Sequence, residues 1–361
     1  MKTGMTVFKR KVQAAFVALT CSLLLAGCAA IGPPTVARDR FDYVSAISES
    51  WKRQTLLNLL KTRYQDAPVF MDVTSVINQY ALEGQMDLGF EWKDVDSQRL
   101  SGKTLYTDRP TISYTPLMGE KFAQSLLRPI PIGAILLLVQ AGYPIDEVLR
   151  ICVQSINGLD NRFRSATYRN AEPGFYELLT LLRRIQLMDG MRFRVRMMDN
   201  KETLMLFFRE PKHDPEALEL KKVLHLLELN PEAREFRIVF GNFAESDLEI
   251  AILSRSMMQV MSAFASYIEV PETDISEGRV TAVQQENPET MAIYPPLIRV
   301  RSGVSRPDDA YVAVPYRKNW FWIDDQDMHS KEYFSFLMIM FSFTERGDTG
   351  QAAPVITVPT N

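Results

Sequence analysis

The chain has 361 residues, 41 basic against 44 acidic, a formal net charge of −3 and 46% hydrophobic residues. That length buries a sizeable core and permits two or three domains, and the slight acidity argues against general nucleic-acid binding. The histidines (His213, His225, His329) and cysteines (Cys21, Cys28, Cys152) follow neither the HExxH nor the paired-cysteine spacing, so no metal and no cofactor is expected.

The first 27 residues read as a secretory leader. Lys2, Lys9, Arg10 and Lys11 supply the positive start, and residues 14–25 are apolar. The apolar run falls short of the roughly 20 residues that a transmembrane helix needs. Leu25, Ala26 and Gly27 then lead into Cys28. This arrangement resembles the lipobox of bacterial lipoproteins. The resemblance implies cleavage before Cys28, a diacylglyceryl thioether on its sulfur and an acylated new N-terminus. Several acyl chains anchor stably where one binds marginally. By the same resemblance, Ala29 in place of Asp favours the periplasmic side of the outer membrane, with the inner membrane as the alternative. Loss of the leader removes Cys21 and leaves Cys152 as the one free thiol, so no internal disulfide is expected. Cys152 lies in the stripe Val148-Leu149-Cys152-Ile156 and reads as core, not as a nucleophile.

Residues 28–38 read as a tether around Gly32-Pro33-Pro34. Asp39 or Asp42 is expected to cap a helix to about Tyr64, with Tyr43, Ile47 and Trp51 recurring every fourth residue. A strand is expected at 69–76. A half-buried strand follows at 80–92, alternating Tyr80, Leu82, Met86, Leu88, Phe90 and Trp92 with polar residues and bulged at Gly84. Residues 93–109 read as a loop or loose hairpin, 111–115 as a strand, 116–127 as a helix, 132–139 as a core helix and 144–156 as a further helix. After a basic link at 159–173 the pattern becomes αββαβ: helix 175–188, strands 191–198 and 203–209 around Asp199-Asn200, helix 214–229 and strand 236–240. Its order is similar to ring-building modules of envelope secretion machines, at fold level only. Ser246-Asp247-Leu248-Glu249 matches a capping box and predicts a long helix to Ile268 with the stripe Ile250, Leu253, Met257, Met261, Phe264 and Ile268. Strands at 297–301, 310–314 and 320–323, a helix at 328–343 and a closing strand at 355–358 complete the reading.

The expected class is therefore α+β, with mixed helices, antiparallel sheets and a central αββαβ two-layer unit. The expected divisions are a signal peptide (1–27), a tether (28–38), an N-terminal α+β region (39–160), the αββαβ unit with its long helix (174–270) and a C-terminal strand–helix–strand region (289–361).

Catalytic signals are sparse. Ser101-Gly102-Lys103-Thr104 imitates the end of a phosphate-binding loop, but position 97 is Ser97 where the leading glycine belongs, so no nucleotide is expected. No GxSxG elbow occurs. Trp320 and Trp322 run into Asp324, Asp325 and Asp327. That stretch fits either a ligand site, with aromatic faces for a sugar and carboxylates for acid–base work or for calcium (though the spacing is not that of a calcium loop), or a packed strand followed by a turn and a helix cap. The second reading explains more of the residues. Arg192, Arg194 and Arg196 alternate with Met191, Phe193, Val195 and Met197. One strand face is then basic, a candidate for anionic head groups or an acidic partner, unless its arginines pair with nearby glutamates. The helix at 328–343 is apolar nearly all round, which requires burial inside the molecule or by a partner.

Arg40-Phe41-Asp42-Tyr43, Pro68-Val69-Phe70-Met71-Asp72-Val73, Trp320-Phe321-Trp322-Ile323-Asp324-Asp325 and Pro354-Val355-Ile356-Thr357-Val358-Pro359 resemble stretches of uncharacterised proteobacterial lipoproteins. That resemblance implies no activity and no site residues. The expectation is a membrane-anchored envelope protein with a structural, assembly or interaction role and envelope protein partners, more readily a non-enzyme than an enzyme. An envelope glycan hydrolase and a lipid or small-molecule carrier are the alternatives.

Overall fold

The computed structural model describes residues 33–77, 80–89, 99–108, 111–117, 119–161, 163–164, 168–169, 171–198, 201–282 and 288–344. Leu25, Ala26, Gly27, Cys28, the Asp199-Asn200 turn and the closing strand expected at 355–358 lie outside them. The chain divides into two compact units, Met1–Arg53 and Gln54–Asn361.

The described part of the first unit is helical and belongs to α1 (Pro33–Arg63). Glu49 there meets Lys52 and Arg53 at 2.8 and 3.0 Å, the one-turn spacing that favours ion pairs on a helix. The helix starts at Pro33, inside the expected tether and ahead of Asp39 and Asp42. Proline in a first turn loses no hydrogen bond, and its fixed φ suits the helix.

In the second unit the end of α1 buries Leu56, Leu59, Leu60 and Tyr64. The Asn58 amide clasps the backbone of Val69, donating to its carbonyl at 2.9 Å and accepting from its N–H at 2.8 Å. This sets the start of β1 (Phe70–Ile77). β1 pairs antiparallel with β4 (Thr111–Leu117), and the chain between them forms the hairpin β2 (Tyr80–Gly89) and β3 (Arg99–Asp108). Two expectations are corrected here. Register runs unbroken through Gly84↔Thr104, so no bulge occurs, and the polar stretch expected as a loop or loose hairpin is a regular strand from Arg99. A third concerns Pro116, which sits in β4 opposite Met71 and not in a helix. Proline is tolerated in a two-stranded edge. Helix α2 (Glu120–Leu127) begins only after Gly119 turns the chain at φ 89°.

Helices α3 (Ile132–Gln140) and α4 (Ile145–Cys152) follow. The helix expected over 144–156 stops at Cys152, and Val153–Ile156 is strand β5. A short apolar run satisfies either period. The antiparallel pairing of β5 with a later strand, together with burial of Val153, Ser155 and Ile156, decides it. Asn157 (φ 45°) and Gly158 (φ 83°) turn the chain into β6 (Leu159–Asp160), and β7 (Phe163–Arg164) pairs with β8 (Tyr168–Arg169).

The αββαβ order is present as α5 (Pro173–Leu187), β9 (Met191–Met198), β10 (Lys201–Phe208), α6 (Asp214–Leu226) and β11 (Glu235–Phe240). Its sheet is larger than expected, with order β6-β5-β12-β11-β10-β9. The extra strand β12 (Glu249–Ser254) replaces the start of the long helix read from Ser246. Five of its six residues are buried between β5 and β11, so no face is left for a helix to expose. The helix is shorter and later, α7 (Met257–Ala265). Its capping box is Ser256 with Gln259: the Ser256 hydroxyl accepts from the Gln259 N–H, and the Gln259 amide oxygen accepts from the Ser256 N–H at 2.8 Å.

α7 buries Met257, Val260, Met261, Phe264 and Ala265 and packs against α2 and α4. After α8 (Glu272–Ser276) and α9 (Pro288–Ile293), three antiparallel strands, β13 (Arg301–Gly303), β14 (Ala310–Tyr316) and β15 (Asn319–Asp324), form a sheet of order β13-β15-β14. The strand expected at 297–301 is displaced to Arg301–Gly303. Val300 keeps only a single bridge, to Ile268. α10 (Met328–Thr344) closes the described chain and also packs on α7. Buried Arg150 ties this region to α4, donating to the Pro295 carbonyl at 2.6 Å. The fold is α+β. Among the described residues no helix is long and apolar enough to cross a membrane.

Candidate functional site: a groove between α4 and α10

α4 and α10 flank an open cavity of about 560 Å³. From α4 come Glu147, Val148 and Ile151, with Tyr143 and Pro144 just before it. From α10 come Met328, Glu332, Tyr333, Ser335, Phe336 and Ile339, and from β14 comes Tyr311. The spacings of three and four residues place each set on one helix face. The volume lies within the range of small-ligand sites, which are mostly apolar with a few convergent polar groups. Met328 and Ile339 are respectively 59% and 42% exposed at this groove, although α10 is otherwise largely buried.

The groove wall is held by specific bonds. The Gln186 side chain clamps the entry to α4, donating to the Tyr143 carbonyl and accepting from the Ile145 N–H, both at 3.0 Å. Tyr143 meets Phe336 edge-on at 5.3 Å between ring centres. The Tyr311 and Ser335 hydroxyls lie 3.3 Å apart. Lys331 is bound to Asp325, 2.8 Å from its carboxylate and 3.0 Å from its carbonyl, and lies 5.2 Å from the Tyr311 ring centre.

Glu147 is the chemically distinctive residue. Burial, then the neighbouring Asp146 charge, pushes its carboxyl above the usual range, opposed by His329, by a hydrogen bond from the Tyr333 hydroxyl and by Arg183. Asp146 is raised by burial against the pull of Arg183, 3.7 Å away. The Tyr333 phenol is raised by burial and by the Glu147 charge. His329 packs on Tyr333 at 4.5 Å, and its Nε2 bonds the Pro296 carbonyl at 2.9 Å. A half-buried carboxylate at an apolar groove is the kind of perturbed group that marks functional sites.

The residues singled out in the sequence are placed as follows. Trp320 and Trp322 are half-buried, while Phe321 and Ile323, on the other strand face, are fully buried. Trp322 lies over Gly303, where a Cβ would come within 3.3 Å of its ring, and Arg306 sits 5.7 Å from the Trp320 ring centre. Asp324 pairs with Arg301 at 3.1 Å and accepts from the Gln326 N–H; Asp325 binds Lys331; Asp327 caps α10 through the Ser330 N–H and hydroxyl at 3.1 and 2.8 Å. All three carboxylates are engaged in a turn and a cap. Arg192 pairs with Asp189 at 3.0 Å, and Arg196 reaches both Glu235 oxygens at 2.7 and 3.3 Å. Arg194 stacks 5.1 Å from the Phe207 ring centre. On the opposite face of β9, Val195 and Met197 are exposed, so only Met191 is fully buried there. Cys152 is fully buried, with its thiol pushed up to about 12 by burial.

Sequence reasoning missed Glu147 and the groove. The available signal was the all-apolar α10, whose excess apolar surface required a second covering. Among the described residues no group of three or more His, Cys, Asp or Glu is placed to hold a metal. Comparison with protein-family models, curated proteins and solved structures returns no match to this chain.

Proposed function

We propose that this is a lipid-anchored envelope protein, held through Cys28 on the periplasmic side of the outer membrane, whose body binds a small apolar ligand between α4 and α10. The observation that carries the binding role is the groove: about 560 Å³, largely apolar walls, and polar groups converging at Glu147, Tyr333 and Ser335. The lipobox Leu25-Ala26-Gly27-Cys28 supports the anchor. Two experiments test the parts separately. Cells fed labelled palmitate should yield a labelled, membrane-bound protein, and Cys28→Ala should abolish the label. Calorimetry on the Cys28→Ala chain should show saturable binding of n-octanol. Ile339→Trp, which fills the groove from its exposed rim, should remove that binding without lowering the melting temperature. Octanol binding that persists in Ile339→Trp would place the ligand elsewhere and defeat the reading.

A second reading, a docking role for an acidic envelope partner, is supported by β9. It is the terminal strand of its sheet, with Arg194 on one face between Arg192 and Arg196, which pair with Asp189 and Glu235, and exposed Val195 and Met197 on the other. Photo-crosslinking in cells from position 197 should yield one discrete adduct that Arg194→Glu weakens. Absence of any adduct counts against it.

A further inference from the structure

We infer that the groove selects a ligand with an ammonium head, held at the Glu147 carboxylate while its apolar body lies along Val148, Ile151 and Phe336. This rests on the reading of the groove as a ligand site and names the class of ligand.

The charge balance is the first ground. Glu147, Glu332 and Lys331 are the charged side chains lining the groove. Lys331 is already committed to Asp325 through its carboxylate and its carbonyl. The two glutamates leave the groove acidic, and the Asp146 carboxylate on the same turn of α4 is already offset by Arg183 at 3.7 Å. The second ground is the state of Glu147. Its basic neighbours are turned to other partners: Arg183 to the Gln186 amide oxygen at 2.6 Å and to Asp146, and the His329 ring to the Pro296 carbonyl. The Tyr333 hydroxyl satisfies one acceptor position of a carboxylate that has about four. An ammonium N–H has an acceptor waiting at an otherwise apolar wall. The third ground is the rings. Tyr143, Tyr311, Tyr333 and Phe336 border the same space, and aromatic faces attract cations. A carboxylate ligand would instead bring a second negative charge beside a half-buried one, which both groups resist.

The titration direction agrees. The groups facing Glu147 are Asp146 and Arg183, which raise and lower it, and His329 and Tyr333 from α10, which lower it. Because Glu147 takes up a proton above the usual carboxylate range, acid should remove ammonium affinity early while leaving apolar affinity intact.

The experiment uses the full chain carrying Cys28→Ala, with n-octylammonium, n-octanol and octanoate as probes of equal chain length below their micelle concentrations. Octylammonium should bind about tenfold or more tighter than the other two at neutral pH. Its advantage should vanish in Glu147→Gln, with octanol affinity unchanged, and should fade in the Glu147-intact chain on acidification. The acid series needs no Glu147 variant, so it decides the matter even if Glu147→Gln fails to fold. Equal binding of octylammonium and octanol overturns the inference and leaves the groove reading standing. Tightest binding of octanoate overturns it in favour of Lys331. No binding of any probe removes the groove reading itself.

Discussion

Asp327 and Glu147 show how the surroundings of a single carboxylate decide its use. Burial alone would raise Asp327, but the Ser330 N–H and hydroxyl, with Arg299 and His329 nearby, hold the carboxyl below its ordinary value. It is consumed as the N-cap of α10, and Ser330 in turn accepts from the Arg299 N–H at 2.8 Å. Asp327→Ala should therefore cost about 1 kcal/mol of stability at neutral pH. A lowered folded pKa contributes stability that is present above the ordinary carboxylate pKa and lost as pH falls through the folded value. The penalty of Asp327→Ala in denaturant titrations should shrink in acid; a penalty independent of pH would show that the charged cap is not the cause. Glu147 has the opposite sign. Its raised folded pKa makes its charge a cost at neutral pH, and that cost is relieved as pH falls through the folded value. Glu147→Gln should melt above the parent protein at about pH 8, with the difference disappearing toward about pH 4, near the ordinary glutamate value. A variant that melts lower at every pH would mean that the Tyr333 bond to the carboxylate outweighs its desolvation.

At the scale of elements, one contest between two capping boxes separates local pattern from tertiary context. Ser246 and Glu249 have the right spacing, yet Glu249 enters β12, where its carboxylate binds Arg237 and accepts from the Glu245 N–H at 3.1 Å. Ser256 and Gln259 form the box that exists. Ser256→Ala should cost about 1 kcal/mol, whereas Ser246→Ala should cost a few tenths at most. Equal penalties in parallel melts would contradict the placement of the α7 start. The same contrast bears on legibility. α5, β9, β10, α6 and β11 are readable because each has a long, clean period and flanking breakers. β5 and β12 are not, because both are short apolar runs lying close to helices, and only sheet pairing, of β5 with β12 and of β12 with β11, fixes them as strands.

In the second unit as a whole, Cys152 sits where α4 meets β5, next to the largest sheet and under the α7 layer. Full burial and a thiol pushed up to about 12 leave neither access nor thiolate at neutral pH. Labelling of Cys152, read by peptide mapping, should thus be absent in native buffer and should rise in denaturant together with loss of the helical signal. Labelling well before that transition would reveal a local opening between the helices and the sheet. The groove belongs to this scale too, since its walls come from α4, β14 and α10, elements far apart in sequence.

The sequence by itself determined the lipobox expectation, the α+β class, the αββαβ order and the burial of Cys152. Each rests on local chemistry or on a period that a few turns of chain display. Its reading of Asp327 as a helix cap also agrees with the hydrogen bonds, because a cap is made within one turn. Only the tertiary structure decided that Val153–Ile156 and Glu249–Ser254 are strands, that Asp324 and Asp325 close a turn with Arg301 and Lys331, and that Glu147 faces an apolar groove. Those outcomes depend on which distant surface arrives opposite a residue. The free energy of burying a strand face or desolvating a carboxylate exists only once that surface is there.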